Sequence, residues 1–210
     1  MLSASQALAS LRDGNSRFAS GQSNPLAGLS HARRAELAAS QEPFAIVLGC
    51  SDSRVPAELV FDQGLGDLFV IRVAGNIVAP SQVGSVEFAA ARFHTRLVVV
   101  LGHSRCGAIL ATLECLQRPA ALPDSRNLRS IVERIRPSLQ PLLATPLAND
   151  ADALVKHAVR ANIRASANHL RHGSQLLEQL IQDEGLRVVG AEYSLETGIV
   201  DFFDGIRGAP

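Results

Sequence analysis

Short runs of apolar residues without polar alternation mark strands buried on both faces. Such runs occupy 44–49, 67–73 and 97–101, and a fourth covers 186–192. A fifth, 198–203, follows a turn at 196–198 and reads as an antiparallel edge strand. Between them the apolar period lengthens to that of helices. Residues 4–20 place Leu8, Leu11 and Phe18 near one face, and Gly21 closes that helix. A loop over 22–30 carries Pro25 and Gly28, and Ser30 reads as the N-cap of a helix to about residue 39. Pro56 opens a short turn of helix ended by Gly64, and 74–76 is a turn. Helices are predicted over 84–94, with Val86, Ala89, Ala90 and Phe93 inward, over 106–116, and over 128–143 with interruptions at Pro137 and Pro141. Asn149-Asp150 caps a long helix to His172. Gly173-Ser174 then breaks the chain and caps a last helix ended by Gly185.

Strands alternating with helices imply parallel crossovers. The fold class is therefore α/β, with a mostly parallel central sheet of about five strands flanked by helices. At 210 residues and 47% apolar content, one domain with a sizeable core is expected over 1–210. Residues 1–40 form its N-terminal helical arm and 41–210 its α/β core.

Charge excludes some classes. The 20 basic residues balance the 20 acidic ones, which argues against nucleic acid or an anionic membrane as partner. No apolar run approaches the about 20 residues of a membrane span. The opening stretch lacks a basic leader followed by an apolar core, so the cytoplasm is the expected location. Three cysteines cannot all pair internally, which suits a reducing compartment.

The chemistry sits where two apolar runs stop. FAIVLG ends at Gly49 and is followed by Cys50, Asp52 and Arg54. LVVVLG ends at Gly102 and is followed by His103 and Cys106. Sites in open α/β sheets form at the carboxyl ends of strands. Adjacent placement of these two would bring Cys50 and His103 to one point, with Cys106 at the first turn of the next helix. A helix N-terminus favours thiolate, the form that binds metal. Two thiolates and an imidazole suit one tetrahedral zinc with the fourth position open, as in catalytic rather than structural sites. Asp52 and Arg54, two apart in extended chain, would form a charge-assisted pair. The carboxylate then aims the nucleophile on the metal, and the guanidinium fixes the carboxylate. Asp52 is also near enough to take the fourth zinc position in a closed state. Cys115 lacks such a context and reads as structural. His31, His94, His157, His169 and His172 read as surface or interface residues.

The blocks CSDSRVPAE and GHSRCG, about fifty residues apart, resemble those of β-class carbonic anhydrases, as do the opening ALxxLxxGNxRF and the stretch FDQGLGDLFVIRVAGN. The resemblance covers most of the chain. It implies reversible, zinc-dependent hydration of carbon dioxide to bicarbonate and a proton by zinc-bound hydroxide. Cys50, His103 and Cys106 become the zinc ligands, and Asp52 and Arg54 the catalytic pair. Gln41, Phe69 and Gly107 match positions that meet carbon dioxide or bicarbonate, Gln41 and Phe69 across a dimer interface. It also implies a homodimer, which in some members pairs into a tetramer, with N-terminal helices reaching over the partner. Arg72 and Tyr193 match an inhibitory bicarbonate site of some members, but Val47 replaces its tryptophan and Phe88 lacks the hydroxyl of another aromatic. Two thiolates cancel the formal charge of Zn²⁺, so activity should rise on the alkaline side of neutrality. Three alternatives stay open on residue types: a related linear substrate such as carbon disulfide, a zinc scaffold or sensor without turnover, and a Cys50–His103 nucleophile pair that leaves Cys106 without a role.

Overall fold

The computed structural model describes residues 2–24, 31–121 and 123–206. The part of the predicted loop at 25–30 and the N-cap at Ser30 lie outside the described residues. The chain runs α1 (Ala4–Ala19), α2 (His31–Leu37), β1 (Ala45–Gly49), α3 (Ala57–Val60), β2 (Leu68–Arg72), α4 (Pro80–Arg92), β3 (Leu97–His103) and α5 (Gly107–Gln117). It continues through α6 (Arg126–Leu139), α7 (Ala151–His172), α8 (Gln175–Asp183), β4 (Arg187–Tyr193) and β5 (Val200–Asp204), with short 3-10 turns between. The sheet has five strands in the order β2-β1-β3-β4-β5, parallel except for the antiparallel β4–β5 pair.

Alternation along the strands divides the core in two. Ile46, Leu48, Val98 and Val100 face α4 to α8, while Ala45, Val47, Val99 and Leu101 face α1 and α3. All residues of β1 and β3 are buried, as the unbroken apolar runs require. The edge strand β2 is only half-buried. Among the described residues no helix is long and apolar enough to cross a membrane.

Two helix boundaries and one strand boundary differ from the sequence reading. α4 starts at Pro80, four residues early, because proline at the first helical position gives up an amide that has no partner there. α6 runs through Pro137 to Leu139. That proline is exposed in the last turn, where the Glu133 carbonyl it frees is open to water. β3 continues to His103, paired with Tyr193 of β4, so this candidate ligand is the last residue of the strand rather than the first beyond it.

The N-terminal helix, expected to reach over a partner, buries Ala7, Leu8 and Leu11 against its own chain. Asn15 locks it there. Its Nδ2 donates to the carbonyls of Val60 (3.0 Å) and Gly198 (2.8 Å), and its Oδ1 accepts from the amide of Val200 (2.8 Å). These three backbone groups lose their partner in Asn15→Ala. The variant should unfold with a stability loss of about 3 kcal/mol, read from the urea midpoint at unchanged m-value.

Candidate metal centre

β1 and β3 are neighbours in register, Gly49 opposite Leu101, and the chain leaves them in opposite directions along the sheet. That is the crevice where α/β sheets place their sites. Cys50 leaves β1 at this end, His103 closes β3, and Cys106 is the N-cap of α5. The sulfurs of Cys50 and Cys106 and a ring nitrogen of His103 all lie within 4.8 Å of one another, and all three residues are buried. None of the three cysteines is in a disulfide.

The donor set fits a metal ion. His103 Nδ1 lies 2.9 Å from the Ser104 carbonyl oxygen, which can only accept, so Nδ1 carries the proton. Nε2 then presents a lone pair, yet it is buried without a hydrogen-bond partner. An orphaned buried acceptor beside two sulfurs is costly unless a cation takes it up.

The two thiols are shifted in opposite directions. Cys50 is held well below the ordinary thiol range, first by a hydrogen bond from Cys106 and also by the Gly75 amide, against the opposing effect of burial. Cys106 is pushed up by its hydrogen bond to Cys50, by burial and by the Cys50 charge. The expected easing of Cys106 by the α5 N-terminus is present in the Ala108 and Ile109 amides, but it is outweighed. Sequence reading missed the Gly75 amide, which donates to Cys50 Sγ at 3.4 Å. Gly75 has φ +70°, and a Cβ there would come within 2.8 Å of Ile135 Cδ1 and 3.0 Å of Ala108 Cβ, so only glycine fits. Asn162 of α7 fixes this turn by donating to the Gly75 carbonyl at 2.8 Å.

Asp52 and Arg54 pair as expected, but through a tight turn rather than extended chain. The Val55 amide donates to the Asp52 carbonyl at 3.1 Å and the Arg54 amide to Asp52 Oδ1 at 3.0 Å. Arg54 Nε and NH2 reach the two carboxylate oxygens at 2.9 and 2.7 Å. Asp52 Oδ2 stands 3.8 Å from His103 Nε2, so the carboxylate faces the ligand cluster.

The other candidates are spread out. Gly107 opens α5 beside Cys106, with open space where a Cβ would go. Gln41 is exposed before β1, at the opposite end of that strand from Cys50. There it lines a cleft of about 1300 Å³ with Phe44, Leu65 and Phe93. Phe69 stacks with Phe88 and Phe93 at ring separations of 6.2 and 6.1 Å, and Phe88 is 54% exposed. Arg72 braces the loop after β1, donating to the carbonyls of Cys50 (2.9 Å) and Asp52 (2.5 Å). Tyr193 and Val47 both belong to the cluster on the α1 face, and the Tyr193 ring lies 6.3 Å from that of Phe18. β1 and β3 separate β2 from β4, so the strands bearing Arg72 and Tyr193 lie about 14 Å apart. Cys115 is buried, its thiol 3.2 Å from the Ala121 carbonyl. The histidines read as surface residues are exposed.

A family model described as carbonic anhydrase matches residues 45–200, which includes all three candidate ligands. The chain belongs to the β-class carbonic anhydrase family. It is 38% identical over 189 residues to carbonic anhydrase 2 of Mycobacterium tuberculosis (strain CDC 1551 / Oshkosh), covering 90% of this chain and 87% of that one. It is 39% identical over 192 residues to the carbonic anhydrase of Mycolicibacterium smegmatis, covering 91% and 89%. Among solved structures, a tetrameric β-carbonic anhydrase of Sordaria macrospora superposes with a TM-score of 0.72 at 25% identity, covering 95% of each chain. The β-carbonic anhydrase CafA of Aspergillus fumigatus shares the fold, with a TM-score of 0.75 at 24% identity over 97% of this chain and 92% of that one. This chain is an enzyme of that family, and its buried Cys–His–Cys cluster is a group that could hold a metal ion.

The Arg54 bonds hold the Asp52 carboxyl well below the usual carboxylate range. Their stabilisation is therefore complete above about pH 4 and fades only as the pH falls toward the depressed value. The Asp52 carboxyl ¹³C shift should stay flat from pH 5 to 9. In Arg54→Ala its titration should move up toward the ordinary value of about 3.9.

Proposed function

We propose that this enzyme holds one zinc ion on Cys50 Sγ, His103 Nε2 and Cys106 Sγ and uses it to hydrate carbon dioxide to bicarbonate and a proton, reversibly. The observation that carries this reading is the unpartnered, buried Nε2 lone pair facing two thiol sulfurs. Bound there, zinc supplies Lewis-acid chemistry that makes a water acidic near neutral pH. A divalent cation also removes the obstacle to ionising both thiols, since it replaces their mutual repulsion with attraction.

The protein groups then have separate tasks. Ser104 fixes the His103 tautomer, and the Gly75 amide shares the charge on Cys50. Asp52 stays ionised at working pH and would accept a hydrogen bond from the nucleophile, which orients it toward carbon dioxide. Arg54 locks the carboxylate with two bonds. Arg54 holds the carboxylate 3.8 Å from His103 Nε2, and the intact pair supports an arrangement open to reactant. Gly107, without a side chain beside Cys106, leaves the approach clear.

Gln41 and Phe69 serve the site from a second copy of the chain. Gln41 lies a strand length from the ligands of its own chain, so it meets a reacting centre only across an interface. The exposed Phe88 and the half-buried β2 edge support the homodimer that such an arrangement needs, and the tetrameric neighbour supports further pairing of dimers. On this reading residues 1–210 act as one catalytic unit in the cytoplasm, with α1 docked on its own sheet.

Stopped-flow carbon dioxide hydration, with metal content measured on the same samples, tests the reading. Cys50→Ser and His103→Ala should lose zinc and turnover together. Asp52→Asn should keep its zinc while kcat falls about 10- to 100-fold. A zinc-free Cys50→Ser enzyme with parental activity would falsify the ligand assignment.

A further inference from the structure

We propose that Glu196, on the turn joining β4 to β5, is a positioning residue that holds the loop from His103 to Cys106 in its ligating shape. Only Ser104 and Arg105 lie between those two ligands, and Glu196 grips both. Its Oε2 accepts from the Ser104 hydroxyl at 2.8 Å and from the Ser194 hydroxyl at 3.3 Å. Its Oε1 lies 2.8 Å from Arg105 Nε.

Ser104 is the hinge of the arrangement. Its carbonyl accepts the His103 Nδ1 proton, which aims Nε2 at the metal position. Its amide donates to the Tyr193 carbonyl at 2.9 Å, and its hydroxyl accepts from the Leu195 amide at 3.0 Å while donating to Glu196. Rotation of the Ser104 peptide would swing the imidazole, so what fixes Ser104 fixes His103. Arg105 adopts φ +55°, a left-handed conformation uncommon for a residue with a side chain. Its guanidinium is drawn to Glu196 in that conformation.

The two contacts are unequal. Arg105 and Glu196 are 73% and 45% exposed in their side chains, and such surface pairs contribute little. The Ser104 hydroxyl bond is therefore the one that matters, and an amide oxygen can accept it as well as a carboxylate can. Loss of charge alone should be tolerated, whereas loss of the acceptor should not.

The test uses the full-length protein, stripped of metal and titrated with zinc against a chromophoric chelator, with the cobalt(II) absorption spectrum and the melting of the metal-free protein recorded alongside. Glu196→Ala should weaken zinc binding about tenfold and shift the cobalt bands, while Glu196→Gln stays within about twofold of the parent. The metal-free protein should melt at the parental temperature in both. Ser104→Ala should reproduce the zinc loss, and adding Glu196→Gln to it should change nothing further. This second pair decides the matter if Glu196→Ala does not fold. Parental zinc affinity in Glu196→Ala or in Ser104→Ala overturns the role of Glu196, as does a loss matched by equal destabilisation of the metal-free protein. The inference rests on the zinc assignment proposed above. A parent protein that takes up neither zinc nor cobalt overturns both, whereas a parent that binds and a variant that does not differ overturns this role alone.

Discussion

The parallel hydrogen-bonded pairing of β1 with β3 is the constraint on which the centre depends. Cys50 and His103 are far apart in the chain, and neither element alone could hold a metal. The ladder puts Gly49 opposite Leu101, so the first residue past β1 and the last of β3 end on the same rim. Because every residue of both strands is buried, a slip in register would turn apolar side chains into the wrong core layer. The energy that fixes this register is hydrophobic, and the ligand geometry follows from it. Cys106 is then placed by the start of α5, three residues on.

Around that frame the polar bonds decide protonation. The Ser104 carbonyl selects which histidine nitrogen is free. The Gly75 amide, held by Asn162 from α7, favours negative charge on Cys50. Arg54 keeps Asp52 ionised beside the cluster, and Arg72 ties down the carbonyls of Cys50 and Asp52 behind it. Cys50 and His103 are thus each oriented by a neighbour that is itself hydrogen-bonded, as precise metal sites require.

Much of this was legible in the sequence because the strands buried on both faces are apolar throughout, and the ligands sit at their ends. Four parallel strands and the meeting of the three candidate ligands follow from that pattern, while the antiparallel β5 is read from the turn before it. The two glycines that end the runs do different work. A Cβ at Gly102 would lie 2.5 Å from Ile163 of α7, so glycine is required there, whereas Gly49 has only ordinary contacts. The sequence cannot distinguish them, since Ile163 arrives from another element. For the same reason Gly75, Asn162 and Glu196 were not legible as supports of the site. Their partners lie 25, 87 and 92 positions away along the chain.

Zinc K-edge X-ray absorption on the intact enzyme tests the central claim most directly, because it reads the ligand atoms themselves. The account predicts two sulfur neighbours at about 2.3 Å and one imidazole nitrogen at about 2.0–2.1 Å, with a single light atom completing the shell. A shell of oxygen and nitrogen alone, or one with four sulfurs, would contradict it.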